Sequence, residues 1–117
     1  MMLHYILDAE HNAVAVEDVL TWARWFEHSE HRIVRQQPVG PWFVSTVFLG
    51  LDHGWGNGPP LLFESIVFKR DAKSGKLDGA SYWMQRYQTW DEAEAGHAHM
   101  TAYLAACGRP PGEEEHP

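Results

Sequence analysis

The sequence has few basic residues, one cysteine and no long apolar segment. Nine lysines and arginines stand against 16 aspartates and glutamates, a formal net charge of −7. This balance argues against general affinity for DNA or RNA, because phosphate binding needs a concentrated basic surface. The lone Cys107 excludes an internal disulfide and fits a reducing cytoplasm. Without a run of ~20 apolar residues or a basic-then-apolar secretion signal, we expect a cytoplasmic protein with no membrane partner.

Motifs for catalysis and metal binding are scarce as well. No Gly-x-Ser-x-Gly stretch is present, and the glycine-rich stretch Leu51–Pro60 lacks the Gly-Lys-Ser/Thr of a phosphate-binding loop. His97 and His99 are two apart on a predicted helix and therefore point in different directions. His28 and His31 could meet, but a third ligand is not evident. The sequence therefore predicts no metal and no cofactor.

What the chain does contain is enough apolar sequence for a core. Its 117 residues have the length of one domain, and 44% of them are hydrophobic, including six tryptophans. We expect a single domain over residues 1–108 and a flexible acidic tail over residues 109–117.

The predicted fold is built around residues 42–70. Two apolar runs, Trp42–Leu51 and Leu61–Phe68, flank the glycine- and proline-rich decapeptide and are typical of two buried strands of one hairpin. If the loop is centred near Trp55, paired positions sum to about 111, so Glu64 faces Val47. Both faces of this hairpin are mainly apolar. Helices should cover one face, and a partner subunit is a candidate for the other.

The remaining elements follow from apolar spacing and cap signals. Thr89 and Glu92 form a capping box, and Gly108 marks the end of that last helix. The sequence predicts further strands at Leu3–Leu7, Arg32–Gln37 and Tyr82–Tyr87, and another helix at Glu17–His28. The result is an α+β fold of order β-α-β-β-β-β-α, in which two helices pack on one face of an antiparallel four- or five-stranded sheet.

The predicted loop presents several residues with functional side chains. Asp52 could orient His53 as a general base, although a structural turn role for Asp52 is the favoured interpretation. Binding candidates are aromatic or polar residues near the loop and a lysine in the charged turn that follows: Trp42, Trp55, Asn57 and Lys73.

Glu64 stands out because it lies inside the apolar run LLFESIVF. A buried carboxylate needs a charged or hydrogen-bonding partner. Arg86 on a neighbouring strand would make a structural pair, the favoured alternative. His97, on the core face of the last helix, would instead suggest a general base or two metal ligands. A single site made from Asp52, His53, Glu64 and His97 requires the loop to fold back.

Two stretches, Phe48–Ser65 and Arg86–Met100, resemble a family of small uncharacterised phage and prophage proteins. The shared motifs are FLGLDH, GPPLLFE and TWxEAxxGH. Asn57 and Ser65 replace a glycine and a threonine of that family. The resemblance implies a phage accessory protein that acts in a bacterial cytoplasm, and it assigns no catalytic residue.

Three functions remain open at this point. The leading hypothesis is a non-enzymatic binding protein that acts on a host or phage macromolecule, for example to inhibit a host defence. The alternative is a small hydrolase or metal-binding protein that uses Glu64 and His97. The third is nucleic-acid mimicry through the acidic surface. A homodimer is compatible with all three.

Overall fold

The computed structural model describes residues 4–52 and 58–112. Its elements in chain order are β1 (His4–Leu7), β2 (Ala13–Val16), α1 (Val19–Glu27), a 3-10 turn (Ser29–His31), β3 (Ile33–Val39), β4 (Trp42–Phe48), β5 (Phe63–Lys69), β6 (Trp83–Tyr87) and α2 (Trp90–Cys107). The last four strands form one antiparallel sheet in the order β3-β4-β5-β6, and β1 and β2 form a separate hairpin. The predicted α+β class is confirmed.

The central hairpin has the predicted register. Val47 pairs with Glu64 and Ser45 pairs with Ile66 in antiparallel β4 and β5. Residues of β4 alternate between buried and partly exposed along the whole strand, because successive side chains of a strand point to opposite faces. The register was therefore predicted correctly from the sequence. Leu62 is an exception to the predicted faces: strict alternation would place it with Glu64, but it precedes β5 and is buried in the core with Phe48 and Phe63.

The amino-terminal part differs from the prediction. β1 pairs with the unpredicted strand β2, and an isolated bridge joins its residue His4 to Leu51, which follows β4. The sequence Ala13–Val16 is short, mostly exposed and half alanine, which gives a weak strand signal. Helix α1 begins at Val19 instead of residue 17, because Asp18 is its N-cap and accepts a hydrogen bond from the Leu20 backbone.

Helix α2 covers one face of the four-stranded sheet, which we call the inner face. Thr89 and Glu92 form the predicted capping box, and Gly108 ends the helix with φ 77°. Ala93, His97, Met100 and Leu104 form its buried stripe, whereas Cys107 is exposed at the helix end.

Two apolar clusters form the core. One contains Phe48 and Phe63 and receives Trp25 of α1, so that α1 packs at one end of the sheet. The other contains Trp42 and Met100 beneath α2. Pro110 is also buried, and the folded domain therefore extends beyond the predicted boundary at residue 108. No helix within the described residues is long and apolar enough to cross a membrane.

Candidate functional site

The side chains of the large sheet separate into the inner face under α2 and an outer face on the opposite side. The two faces follow from strand alternation and from the pairing of β4, β5 and β6. The outer face consists of Ile33, Gln36, Pro38, Phe43, Ser45, Val47, Glu64, Ile66, Phe68, Met84 and Arg86.

The apolar part of the outer face is uncovered by the described chain. Phe43, Val47, Ile66 and Phe68 are partly exposed, and none of them belongs to either core cluster. Met84 on the edge strand is 48% exposed. A contiguous apolar sheet surface in contact with solvent is typical of an interaction site.

Glu64 and Arg86 form an ion pair on this face. The Glu64 Oε2 and Arg86 Nε atoms are 3.0 Å apart, and the two residues are directly paired across β5 and β6. Glu64 is nearly buried while its partner is partly exposed. Arg86 is one of the two partners that the sequence suggests for Glu64. The pair leaves the outer face without net charge.

His97 lies on the inner face, where both of its ring nitrogens have partners. Its Nδ1 is 2.7 Å from the Thr46 hydroxyl, which is itself 2.6 Å from the Ser65 hydroxyl. Its Nε2 is 3.0 Å from Oε1 of Gln37. Because that amide oxygen can only accept, Nε2 carries the proton and Nδ1 accepts from Thr46. The resulting hydrogen-bonded chain ties α2 to β3, β4 and β5.

The surroundings of His97 favour its neutral form. Burial lowers the pKa of His97, and the nearby Arg35 guanidinium lowers it further. A cavity of about 410 Å³ opens beside the ring and is lined by Arg35, Gln37, Glu94 and Thr101. With one nitrogen donating and the other accepting within the fold, His97 is used as a structural connector between helix and sheet.

The predicted cooperation of Glu64 with His97 is not supported by their positions. Glu64 points to the outer face, whereas Ser65, its neighbour in β5, belongs to the chain that reaches His97 on the inner face. Because the sheet separates the carboxylate from the ring, a direct acid–base or ligand pair is excluded. The positions of Glu64 and His97 therefore give no support to the hydrolase alternative based on this pair.

The loop and turn candidates have mixed outcomes. Asp52 accepts a hydrogen bond from the Leu61 backbone at 3.1 Å, which closes the base of the β4–β5 loop. His53, Trp55 and Asn57 lie outside the described residues. Lys73 is exposed in the turn after β5.

Trp42 has a structural position. It is 5% exposed, and its indole Nε1 donates to the carbonyl of Gly108 at 2.9 Å. It thereby fixes the end of α2 against β4 and lies in the core, away from any binding surface. In the part of the chain that the structure describes, no group of three or more His, Cys, Asp or Glu residues could hold a metal ion.

The hydrogen-bonding partners of His97 were not predicted from the sequence. Thr46 and Ser65 are the polar residues on the inner face of the hairpin, and the predicted register already placed them opposite each other. A polar pair facing an otherwise apolar core would have indicated a hydrogen-bonding partner on the covering helix.

Comparison with known protein families, curated proteins and solved structures found no match.

Proposed function

We propose that this chain is a non-catalytic protein-binding domain and that the outer face is its docking surface. The observation that carries the proposal is the uncovered apolar set Phe43, Val47, Ile66, Phe68 and Met84. The buried His97 belongs to the internal hydrogen-bonded chain and so provides no competing catalytic centre.

The size of the outer face indicates a small interface. Strands of seven residues at β4 and β5, in a sheet of four, give a surface of roughly 400 Å² from strand rise and spacing. A standard stable interface buries about 800 Å² on each partner. The sheet face alone therefore favours a transient complex over an obligate homodimer, which buries more.

Charge indicates the kind of protein that binds. The outer face is neutral because Glu64 and Arg86 compensate each other, whereas the whole chain has a formal charge of −7. Long-range attraction then favours a protein of net positive charge, and the contact itself requires a flat apolar surface. A second copy of this chain would offer a flat apolar surface, but it would be acidic and not positively charged.

The resemblance to phage and prophage proteins supplies the setting. On that basis the proposed partner is a host or phage protein in the bacterial cytoplasm, and the proposed consequence of binding is interference with a host function. The contributions of Trp55, Asn57 and Lys73 to binding stay predictions. Trp55→Ala and Lys73→Glu variants test two of them in the binding assay below.

The test uses a photoreactive amino acid at position 66, on the outer face, in the full chain produced in bacteria. The cross-linked protein is identified, purified and titrated against the wild-type chain by calorimetry. We expect Met84→Lys to weaken binding by at least about tenfold, because an ammonium group would be desolvated in an apolar contact. Met84 is already 48% exposed, so this variant should fold normally.

Ala102→Lys is the matched control, because it adds the same charge at an exposed position of α2. It should bind with wild-type affinity. Equal affinity of the Met84→Lys and wild-type chains would overturn the proposal, as would the absence of any cross-linked product from position 66. A product that consists of two copies of this chain would replace the proposed partner with self-association.

A further inference from the structure

A second cavity lies away from the outer face, where the β1–β2 turn, the 3-10 turn and the start of α2 meet. It has a volume of about 310 Å³. Its walls combine aromatic rings with carboxylates, and the residues that matter are Trp25, Trp90, His11, His31, Asp8 and Glu30. We call it the tryptophan cavity.

The aromatic walls are fixed by packing on the core. The His11 ring stacks on the Trp90 indole with a centroid distance of 3.6 Å and an interplanar angle of 11°. Trp90 meets Phe63 edge-to-face. On the other side Trp25 meets Phe48 in the same way and lies 5.4 Å from the His31 ring. A ligand would therefore enter a site whose rings are already in place.

The His11 ring is held in this position by a strained backbone. His11 has φ 66°, in the left-handed region that glycine adopts without strain. Asp8 builds the turn, since its Oδ1 accepts from the backbones of Glu10 and Asn12 at 2.9 Å each. The turn thus places the His11 imidazole on the Trp90 ring, whereas a glycine at position 11 would leave this space open. Strained residues of this kind concentrate at ligand sites.

The formal charges of the cavity are negative. Asp8 and Glu30 line it, and among its described lining residues there is no lysine or arginine. Backbone hydrogen bonds, above all that from Asn12, lower the pKa of Asp8 and keep it ionised at neutral pH. The faces of indole rings are also electron-rich and attract cations. Rings and carboxylates therefore favour the same kind of ligand.

The other ligand classes fit poorly. An anion would need free backbone N–H groups at the start of α2, but the capping box engages Thr89 and Glu92 there, and Asp91 adds a further negative charge. A metal ion would need three converging ligands, and no such group occurs in residues 4–52 and 58–112.

We propose that the tryptophan cavity binds an organic cation, namely an ammonium or guanidinium head group of a small molecule or of a peptide side chain. The rings contact the head group, and Asp8 and Glu30 neutralise it. This function is separate from docking on the outer face, and either could fail without the other.

The test is an NMR titration of the ¹⁵N-labelled full chain with three probes. Choline supplies a free ammonium group and N-acetylarginine amide supplies a peptide guanidinium. The third probe, 3,3-dimethylbutanol, has the shape of choline without its charge. We expect saturable shifts of the Trp25 and Trp90 indole N–H signals with at least one cation. The neutral probe should bind at least about tenfold more weakly than that cation.

Two variants test the assignment to this cavity. Glu30→Gln removes one carboxylate, and Asp8→Asn removes the other while leaving an amide oxygen that can still accept the backbone hydrogen bonds of the turn. Each should weaken binding of the cation severalfold while the rest of the spectrum stays folded. Asp91→Asn, an exposed carboxylate nearby that does not line the cavity, should have no effect. The proposal is overturned if the neutral probe binds equally well, if neither cation binds, or if both variants retain wild-type affinity.

Discussion

Replacing Thr46 with valine should destabilise the protein strongly although the two side chains have nearly the same shape. Thr46 is fully buried, and its hydroxyl contacts both Ser65 at 2.6 Å and His97 at 2.7 Å. The substitution leaves those two groups buried without this partner. Each unsatisfied group costs about 1–3 kcal/mol, and the added methyl group returns about 1 kcal/mol. We expect the free energy of unfolding to fall by roughly 1–5 kcal/mol.

Urea denaturation at neutral pH measures this change directly. Ser45→Ala is the matched control, since Ser45 precedes Thr46 in β4 but carries its hydroxyl on the outer face, where it accepts from Gln36. That variant should lose less than about 0.5 kcal/mol, as usual for exposed positions. Combining Thr46→Val with Ser65→Ala should cost less than the sum of the two changes, because the Ser65 hydroxyl has already lost this partner. A Thr46→Val variant as stable as wild type would refute the connecting role of His97.

Three further predictions concern the same packing. Gly96→Ala should lower the melting temperature, because the new Cβ would collide with the Tyr87 ring. Overpacking costs about 1–3 kcal/mol, which exceeds the gain of about 1 kcal/mol from the higher helix propensity of alanine. A raised melting temperature would contradict this prediction. Burial lowers the pKa of His97 below 6.5 in the folded state, so the unfolded chain binds more protons and stability should fall as pH decreases from about 6.5. Urea titrations at about pH 7.5 and about pH 5.5 should show this dependence, and it should be weaker in His97→Gln; equal dependence in both chains would count against it. Arg86→Met should destabilise the protein by about 1–3 kcal/mol, since it leaves the nearly buried Glu64 without its charged partner. Adding Glu64→Gln should recover part of the lost stability in the same denaturation assay. No recovery would argue against a stabilising Glu64–Arg86 ion pair.

The sequence was most informative where one physical constraint was strong. Two long apolar runs on either side of a glycine- and proline-rich stretch predicted the hairpin, and the assumed centre of that stretch gave its register. The capping box at Thr89 predicted the start of α2 for an equally local reason. The pairing of Glu64 with Val47 followed from these constraints, and it placed Arg86 within reach on the next strand.

Features that depend on tertiary packing were harder to predict. Strand β2 exists through pairing with β1, and its alanines carry little strand preference. The choice of His97 partners depended on where α2 crosses the sheet, which periodicity does not specify. The tryptophan cavity brings together residues 8, 11, 25, 30, 31 and 90 from four separate segments, and no spacing in the sequence connects them.

We propose that the two faces of the sheet have different tasks: the inner face stabilises the fold and the outer face binds a partner. The most direct test is the affinity of the cross-linked partner for Thr46→Val and Met84→Lys, measured side by side at a temperature where both are folded. We expect wild-type affinity for Thr46→Val and at least about tenfold weaker binding for Met84→Lys. The reverse order, or equal losses in both variants, would contradict it.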